Sequence, residues 1–177
     1  MTKYIAFLRG INVGGNKIIK MDDLRTLFSS LKFSEVQTYI QSGNVVFTTA
    51  EKDMNILIKK IETALLKKMG SEVSVLLRTS EQIQTIVAQN PLAKKKIAAD
   101  EKGYVVFLPF DFSLKVKTPL LSLHKDVEVF LLKDATAYCI SRAYKGKYGF
   151  PNAFCEKTFG VAATTRNWET VKNVAMM

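Results

Sequence analysis

Two short segments of the chain hold residue types suited to binding anions and polar groups. The first is Arg9-Gly10-Ile11-Asn12-Val13-Gly14-Gly15-Asn16-Lys17, a glycine-bearing loop flanked by two cations. The second is Gln41-Ser42-Gly43-Asn44, a compact turn of amides, a hydroxyl and a glycine. Glycines let backbone N–H groups approach a ligand closely, and a guanidinium or ammonium pairs with an anion. Glycines in loops also simply serve turns, and hairpin geometry alone accounts for Gly43. No phosphate fingerprint is present. Gly10 and Gly15 have the separation of a G-x-x-x-x-G-K-[ST] loop, but Asn16 intrudes before Lys17 and Ile18 replaces the hydroxyl. The dinucleotide pattern G-x-G-x-x-G is absent too.

Machinery for acid–base or covalent chemistry is thin. His124 is the single histidine, and nothing places a serine or cysteine beside it. Asp22 and Asp23 are adjacent, hence on different helix faces, and suit a helix start better than a carboxylate pair. Cys139 falls in an expected core strand and reads as inert. Two cysteines and one histidine cannot supply the roughly four ligands of a structural zinc site, so neither metal nor cofactor is expected. Further along, Arg142, Lys145, Lys147, Lys157, Arg166 and Lys172 interleave with Tyr144, Tyr148, Phe150, Phe154 and Trp168. Single-stranded nucleic acids and nucleotides meet such patterns. Core aromatics with a solvated basic face give the same pattern, and Trp168, Val171 and Val174 at helical spacing favour that reading.

The elements that must position these residues follow from periodicity and punctuation. Residues 3–9 read as a strand. A helix spans about 21–31, with Met21, Leu24, Leu27, Phe28 and Leu31 on one face and Asp22 and Asp23 in its positive first turn. Strands at 36–41 and 45–49 flank a Ser42-Gly43-Asn44 hairpin signal. A second helix spans about 53–69 and stops at Gly70, and 72–78 is a fourth strand. Strand, helix, strand, strand, helix, strand is the split βαβ order, so the first half is expected to be a ferredoxin-like unit.

The second half is less regular. Thr79-Ser80-Glu81-Gln82 has capping-box spacing, and the helix it opens stops at Asn90-Pro91. Residues 104–108 read as a strand, 119–124 as a short helical turn, and 127–132 with 137–141 as a hairpin. Helices are expected at 151–159 and 165–175, split by Gly160. The fold class is therefore α+β, with a ferredoxin-like β-α-β-β-α-β subdomain at 1–79. A second, related α+β subdomain with C-terminal helices is expected at 80–177, the two packed as one body.

In the split βαβ arrangement the first and third strands are antiparallel neighbours. The end of strand one then lies beside the start of strand three, which brings the Gly10–Asn16 loop next to the Gln41–Asn44 turn. The Gly70-Ser71 turn falls at the same end. Three glycine-containing connections are expected to meet at one rim, with the first helix pointing its positive end toward it.

Composition sets the outer bounds. With 47% apolar and 24% charged residues the chain is that of an ordinary globular protein. No apolar run approaches the roughly 20 residues that span a bilayer, and Arg9 breaks the initial run Tyr4–Leu8 too early for a secretory core. Free thiols and a cytoplasmic location are expected accordingly. The net charge of +10 favours anionic partners, a phosphorylated small molecule, nucleotide or nucleic acid, although much of it reads as solubilising lysine on outer helix faces.

Four segments, Tyr4–Gly15 with its Arg-Gly-Ile-Asn-Val-Gly-Gly run, Met21-Asp-Asp-Leu-Arg25, Tyr39–Phe47 and Thr165-Arg-Asn-Trp-Glu-Thr170, together resemble an uncharacterised bacterial family, a domain of unknown function. The resemblance implies two ferredoxin-like α+β subdomains and no established activity, substrate or cofactor. The polar motif positions it implies are Arg9, Gly10, Asn12, Gly14, Gly15, Gln41, Ser42, Gly43 and Asn44, with Arg166, Asn167 and Trp168 in the tail. Arg166 is expected to complete an anion pocket at the rim, beside Arg9 and Lys17. The functional expectation is a binding protein for an anionic ligand. The alternatives are an enzyme orienting a polar substrate through Asn12, Gln41, Ser42 and Asn44, and a structural protein that binds partners through its sheet edges.

Overall fold

A computed structural model describes residues 1–15 and 17–177; Asn16, in the glycine loop, lies outside the described residues. The chain divides into two compact units, Met1–Gln84 with Asn173–Met177, and Thr85–Lys172.

The first unit contains β1 (Thr2–Leu8), α1 (Met21–Ser30), β2 (Ser34–Tyr39), β3 (Asn44–Thr49), α2 (Met54–Met69) and β4 (Val75–Thr79). Its antiparallel sheet has the order β2-β3-β1-β4, the arrangement of a split βαβ unit. The register sets Phe7 opposite Asn44 and Leu8 opposite Val75, so the end of β1 meets the starts of both β3 and β4. Alternation along the strands sends Tyr4, Ala6, Leu8, Val45, Phe47, Val75 and Leu77 to one face, where α1 and α2 cover them with Leu24, Phe28, Leu57, Ile61 and Leu65. Phe33 stacks on Phe47 at 4.4 Å, and Phe28 meets Phe47 edge-on at 5.5 Å. Each such ring contributes on the order of 2–3 kcal/mol by leaving water. Helix α2 has well-formed ends. Asp53 Oδ1 accepts from the Asn55 and Ile56 amides, and Gly70, at φ +68°, closes the helix with an N–H bond to Leu66.

The chain continues through α3 (Ser80–Gln89), α4 (Pro91–Lys94), β5 (Lys102–Phe107), β6 (Leu120–Leu121), β7 (Val127–Lys133), β8 (Thr136–Ser141), β9 (Ala143–Tyr144), β10 (Lys147–Tyr148), α5 (Pro151–Phe159), β11 (Thr164–Asn167) and α6 (Trp168–Ala175). The reciprocal box at the start of α3 forms, with Thr79 Oγ1 accepting from the Gln82 amide and Gln82 Oε1 from the Thr79 amide. The larger sheet of the second unit runs β11-β5-β8-β7-β6. Its first four strands thus repeat the order of the first sheet, with a long connection in place of the first crossover helix. Helix α5 lays Cys155 and Phe159 against Val106, Val129 and Cys139.

Two expected helical segments are strands. Leu120 and Leu121 pair with β7, opposite Val129 and Glu128. Thr164–Asn167 pair with β5, and α6 starts only at Trp168, after the Asn167 side chain has accepted from the Thr170 amide. In both places an available strand edge decides the conformation against local helical spacing. The β9–β10 hairpin carried no expected element.

Candidate functional site

The glycine loop, the Gln41–Asn44 turn and the segment after Gly70 meet at one end of the first unit's sheet. Their contacts are specific. The Leu8 amide bonds Gly43 O at 2.8 Å, and the Arg9 amide bonds Ser74 O at 2.9 Å. Asn12 is the clasp. Its Nδ2 donates to Ile19 O (3.0 Å) and to Gln41 O (2.9 Å), while its Oδ1 accepts from the Ile19 amide at 2.9 Å. One side chain thereby holds both ends of its own loop and the neighbouring turn. Asn12 sits at φ +54°, a region asparagine tolerates better than most residues.

Gly43 is required twice over. Its φ is +76°, and a Cβ there would lie 2.7 Å from Ile11 Cγ1 and 2.9 Å from Leu8 Cβ. Asn44 is buried and donates to Tyr39 O (2.9 Å) and Ser42 Oγ (3.0 Å), which shapes the turn from within. Lys17 Nζ donates to Glu72 O at 2.5 Å and so joins the glycine loop to the segment leading into β4.

This scaffold bounds a cleft of about 640 Å³ lined by Asn12, Gly15, Ile18, Ile19, Lys20, Met21, Asp22, Arg25 and Gln41. Of the residues singled out in the sequence, Asn12, Gly15 and Gln41 line it. Ser42, Gly43, Asn44 and Lys17 do not line it; they brace the turn and the loop, and Arg9 anchors the loop through its backbone. Gly10 and Gly14 are exposed and supply the loop's positive φ, +68° and +61°. The remaining lining comes from the start of α1. Lys20, the residue preceding that helix, makes no side-chain cap, so the positive helix end faces the cleft without one. Arg25 pairs with Asp22 and also donates to Thr38 Oγ1 at 2.6 Å. The sequence signal for Arg25 was its place three residues after Asp22, on the helix face turned to the loop.

Arg166, Asn167 and Trp168 belong to the second unit. Arg166 is buried, and its guanidinium donates to Thr164 Oγ1 (2.7 Å) and Thr165 O (2.8 Å). Burial lowers its pKa to about 10. Asn167 caps α6, and Trp168 is half-buried at the helix start.

Among the described residues no group of three or more His, Cys, Asp or Glu could hold a metal ion. Cys139 and Cys155 are buried free thiols; the Cys155 contact and then burial push the Cys139 thiol up, which makes it a poor nucleophile.

Antiparallel sheets of split-βαβ order packed against helices place the protein in the α+β class, with a polar cleft beside the first crossover helix. Residues 1–138 match the family described as "Protein of unknown function (DUF1697)", and the chain belongs to that family. No curated protein matches its sequence. Among solved structures, it is similar to the conserved bacterial protein SP0830 from Streptococcus pneumoniae, with 22% identity over 99% of this chain and 97% of that one, at a TM-score of 0.68. At that identity the likeness concerns the fold.

Proposed function

We propose that the rim cleft binds a small ligand carrying a phosphate-like anionic group, and that the protein is a binding module for it. The observation that carries this reading is a cleft of about 640 Å³ bounded by Lys20, Arg25 and the helix start that Lys20 leaves without a side-chain cap. Arg25 is already paired, but its partner is replaceable. The Asp22 side chain is 88% exposed, and so exposed an ion pair is worth about 0–1 kcal/mol. A phosphate oxygen offers the Arg25 Nη2 group a charge-assisted hydrogen bond in place of Asp22, with more charge, and Asp22 returns to water at little cost. Gln41 lines the same cleft and supplies a side-chain amide for the polar remainder of the ligand, while the Asn12 amide stays bonded to Ile19 and Gln41 O.

The test is calorimetric titration with ADP, a sugar phosphate and inorganic phosphate. Saturable binding of at least one is expected, weakening as salt rises from about 50 to about 200 mM. Arg25→Ala should reduce the affinity about tenfold or more while changing stability by about 0.5 kcal/mol. Absence of saturable binding by all three at low salt, or an Arg25→Ala variant that binds equally well, overturns the reading.

A further inference from the structure

The basic and aromatic residues of the C-terminal third separate into two groups in the structure. Phe159 of α5 and Arg166 are buried, whereas Tyr144 and Tyr148 are 40% and 41% exposed on the β9–β10 hairpin. Lys145 and Gly146 turn that hairpin with φ +50° and +78°, and Tyr144 pairs with Lys147 across it. That register puts Tyr144 and Lys147 on one face of the ribbon and Tyr148 with Ala143 on the other.

The surroundings of these rings are ordered. The His124 imidazole, itself exposed, lies on the Tyr144 ring with centroids 4.4 Å apart and planes 3° from parallel. Lys102 Nζ stands 3.7 Å from the Tyr148 centroid, and Tyr148 Oη donates to Asp100 O at 3.0 Å. The base of the hairpin is fixed: Ser141 Oγ donates to Gly149 O at 2.5 Å, and Arg142 donates to Glu101 and Glu128 at 2.5 and 2.7 Å. Those carboxylates are thus consumed by Arg142 and Lys95. Among the described residues, Lys102, Lys125, Lys145 and Lys147 form no ion pair. The Tyr144 face of the hairpin therefore presents a prestacked ring pair with Lys125, Lys145 and Lys147 about it and outside any ion pair, while Tyr148, on the other face, packs against Lys102.

We propose that this hairpin, with His124, is a docking surface for single-stranded nucleic acid. A base stacks on the outer face of His124, and Lys125, Lys145 and Lys147 neutralise the phosphates that flank it. Stacking on π-faces tolerates any base, so the surface reads strandedness rather than sequence. A duplex, whose bases are already stacked, offers these rings nothing. Charge complementarity and the parallel ring pair select this partner over an acidic protein.

The experiment is fluorescence anisotropy of the full chain with a labelled single-stranded oligonucleotide of roughly 12 nucleotides. Binding is expected to be stronger for the single strand than for the matching duplex. His124→Ala with Tyr144→Ala should weaken it about tenfold or more. Tyr144→Phe, which keeps the ring under His124, should retain it. Lys145→Ala with Lys147→Ala should flatten the dependence of log affinity on log salt by about 1.4, at about 0.7 per phosphate contact. His124, Tyr144, Lys145 and Lys147 are all exposed, and unchanged circular dichroism confirms that each variant folds. No saturable binding at about 50 mM salt overturns the proposal. So does binding indifferent to both alanine pairs, or tyrosine-dependent partition onto phosphatidylserine vesicles without oligonucleotide binding, a result that exposed Leu123 nearby would then explain. None of these outcomes bears on the rim cleft, which lies in the other unit.

Discussion

At the scale of single residues, the rim concentrates unfavourable backbone geometry. Asn12, Lys17 and Ile40 hold φ of +54°, +49° and +46°, and Ile40 is β-branched, for which that region is costly. Such conformations persist only where surrounding bonds over-determine them, and they gather at ligand-binding loops. Gly43 is the most sensitive position. Adding a methyl there both strains the backbone and drives into Ile11 and Leu8, so Gly43→Ala should lower stability by about 2–4 kcal/mol in chemical denaturation. A loss under about 0.5 kcal/mol would mean the turn relaxes freely and does not define the cleft. The glycines and Asn12 were legible in the sequence because the turns they permit are local. The direction of Lys17 was not. A lysine beside a glycine loop reads as a ligand cation, yet its ammonium is directed to Glu72 O, a residue whose proximity depends on β4 being the neighbour of β1.

At the scale of elements, the rim itself was legible, because it follows from one antiparallel adjacency: β1 beside β3 leaves the first loop nowhere else to go. The role of α1 was only half legible. Its first-turn acids read correctly as helix-start charge, but the side chain that matters for the cleft, Arg25, lies one turn later and gains meaning only from the cleft. Strands β6 and β11 were unreadable for a different reason: Leu120-Leu121 and Thr164–Asn167 acquire strand geometry only from the edges of β7 and β5. The second unit's elements are tied by a charged network. Glu128 is buried, which works to raise its pKa, but hydrogen bonds from Lys95 and Arg142 more than offset this and hold it below the ordinary value of 4.5. Glu101 is lowered as well, first by the Ala98 backbone bond. A depressed carboxyl contributes stability that is present above about pH 4.5 and lost as pH falls through the lower folded value. The thermal midpoint should therefore drop below about pH 4.5, and Glu128→Gln should remove part of that dependence while costing about 1–2 kcal/mol at neutral pH. An acid profile identical in the variant would show that the network does not stabilise the unit.

At the scale of the whole molecule, the +10 charge argues for anionic company and says nothing of where that company binds. The structure divides this question. One unit has a cleft with a helix start, a replaceable arginine pair and amide walls; the other has an exposed aromatic hairpin carrying lysines. No helix among the described residues is long and apolar enough to cross a membrane. The family carries no assigned activity, so the chemistry of the cleft has to be established on this chain. Amide chemical-shift mapping during titration with ADP tests it most directly. Saturable shifts confined to Gly15, Ile18–Asp22 and Gln41, weakened between about 50 and about 200 mM salt, are the expected result. Shifts that grow linearly without saturating and scatter over the surface lysines, leaving the amides of the α1 start unmoved, would contradict the assignment of the rim as a binding site.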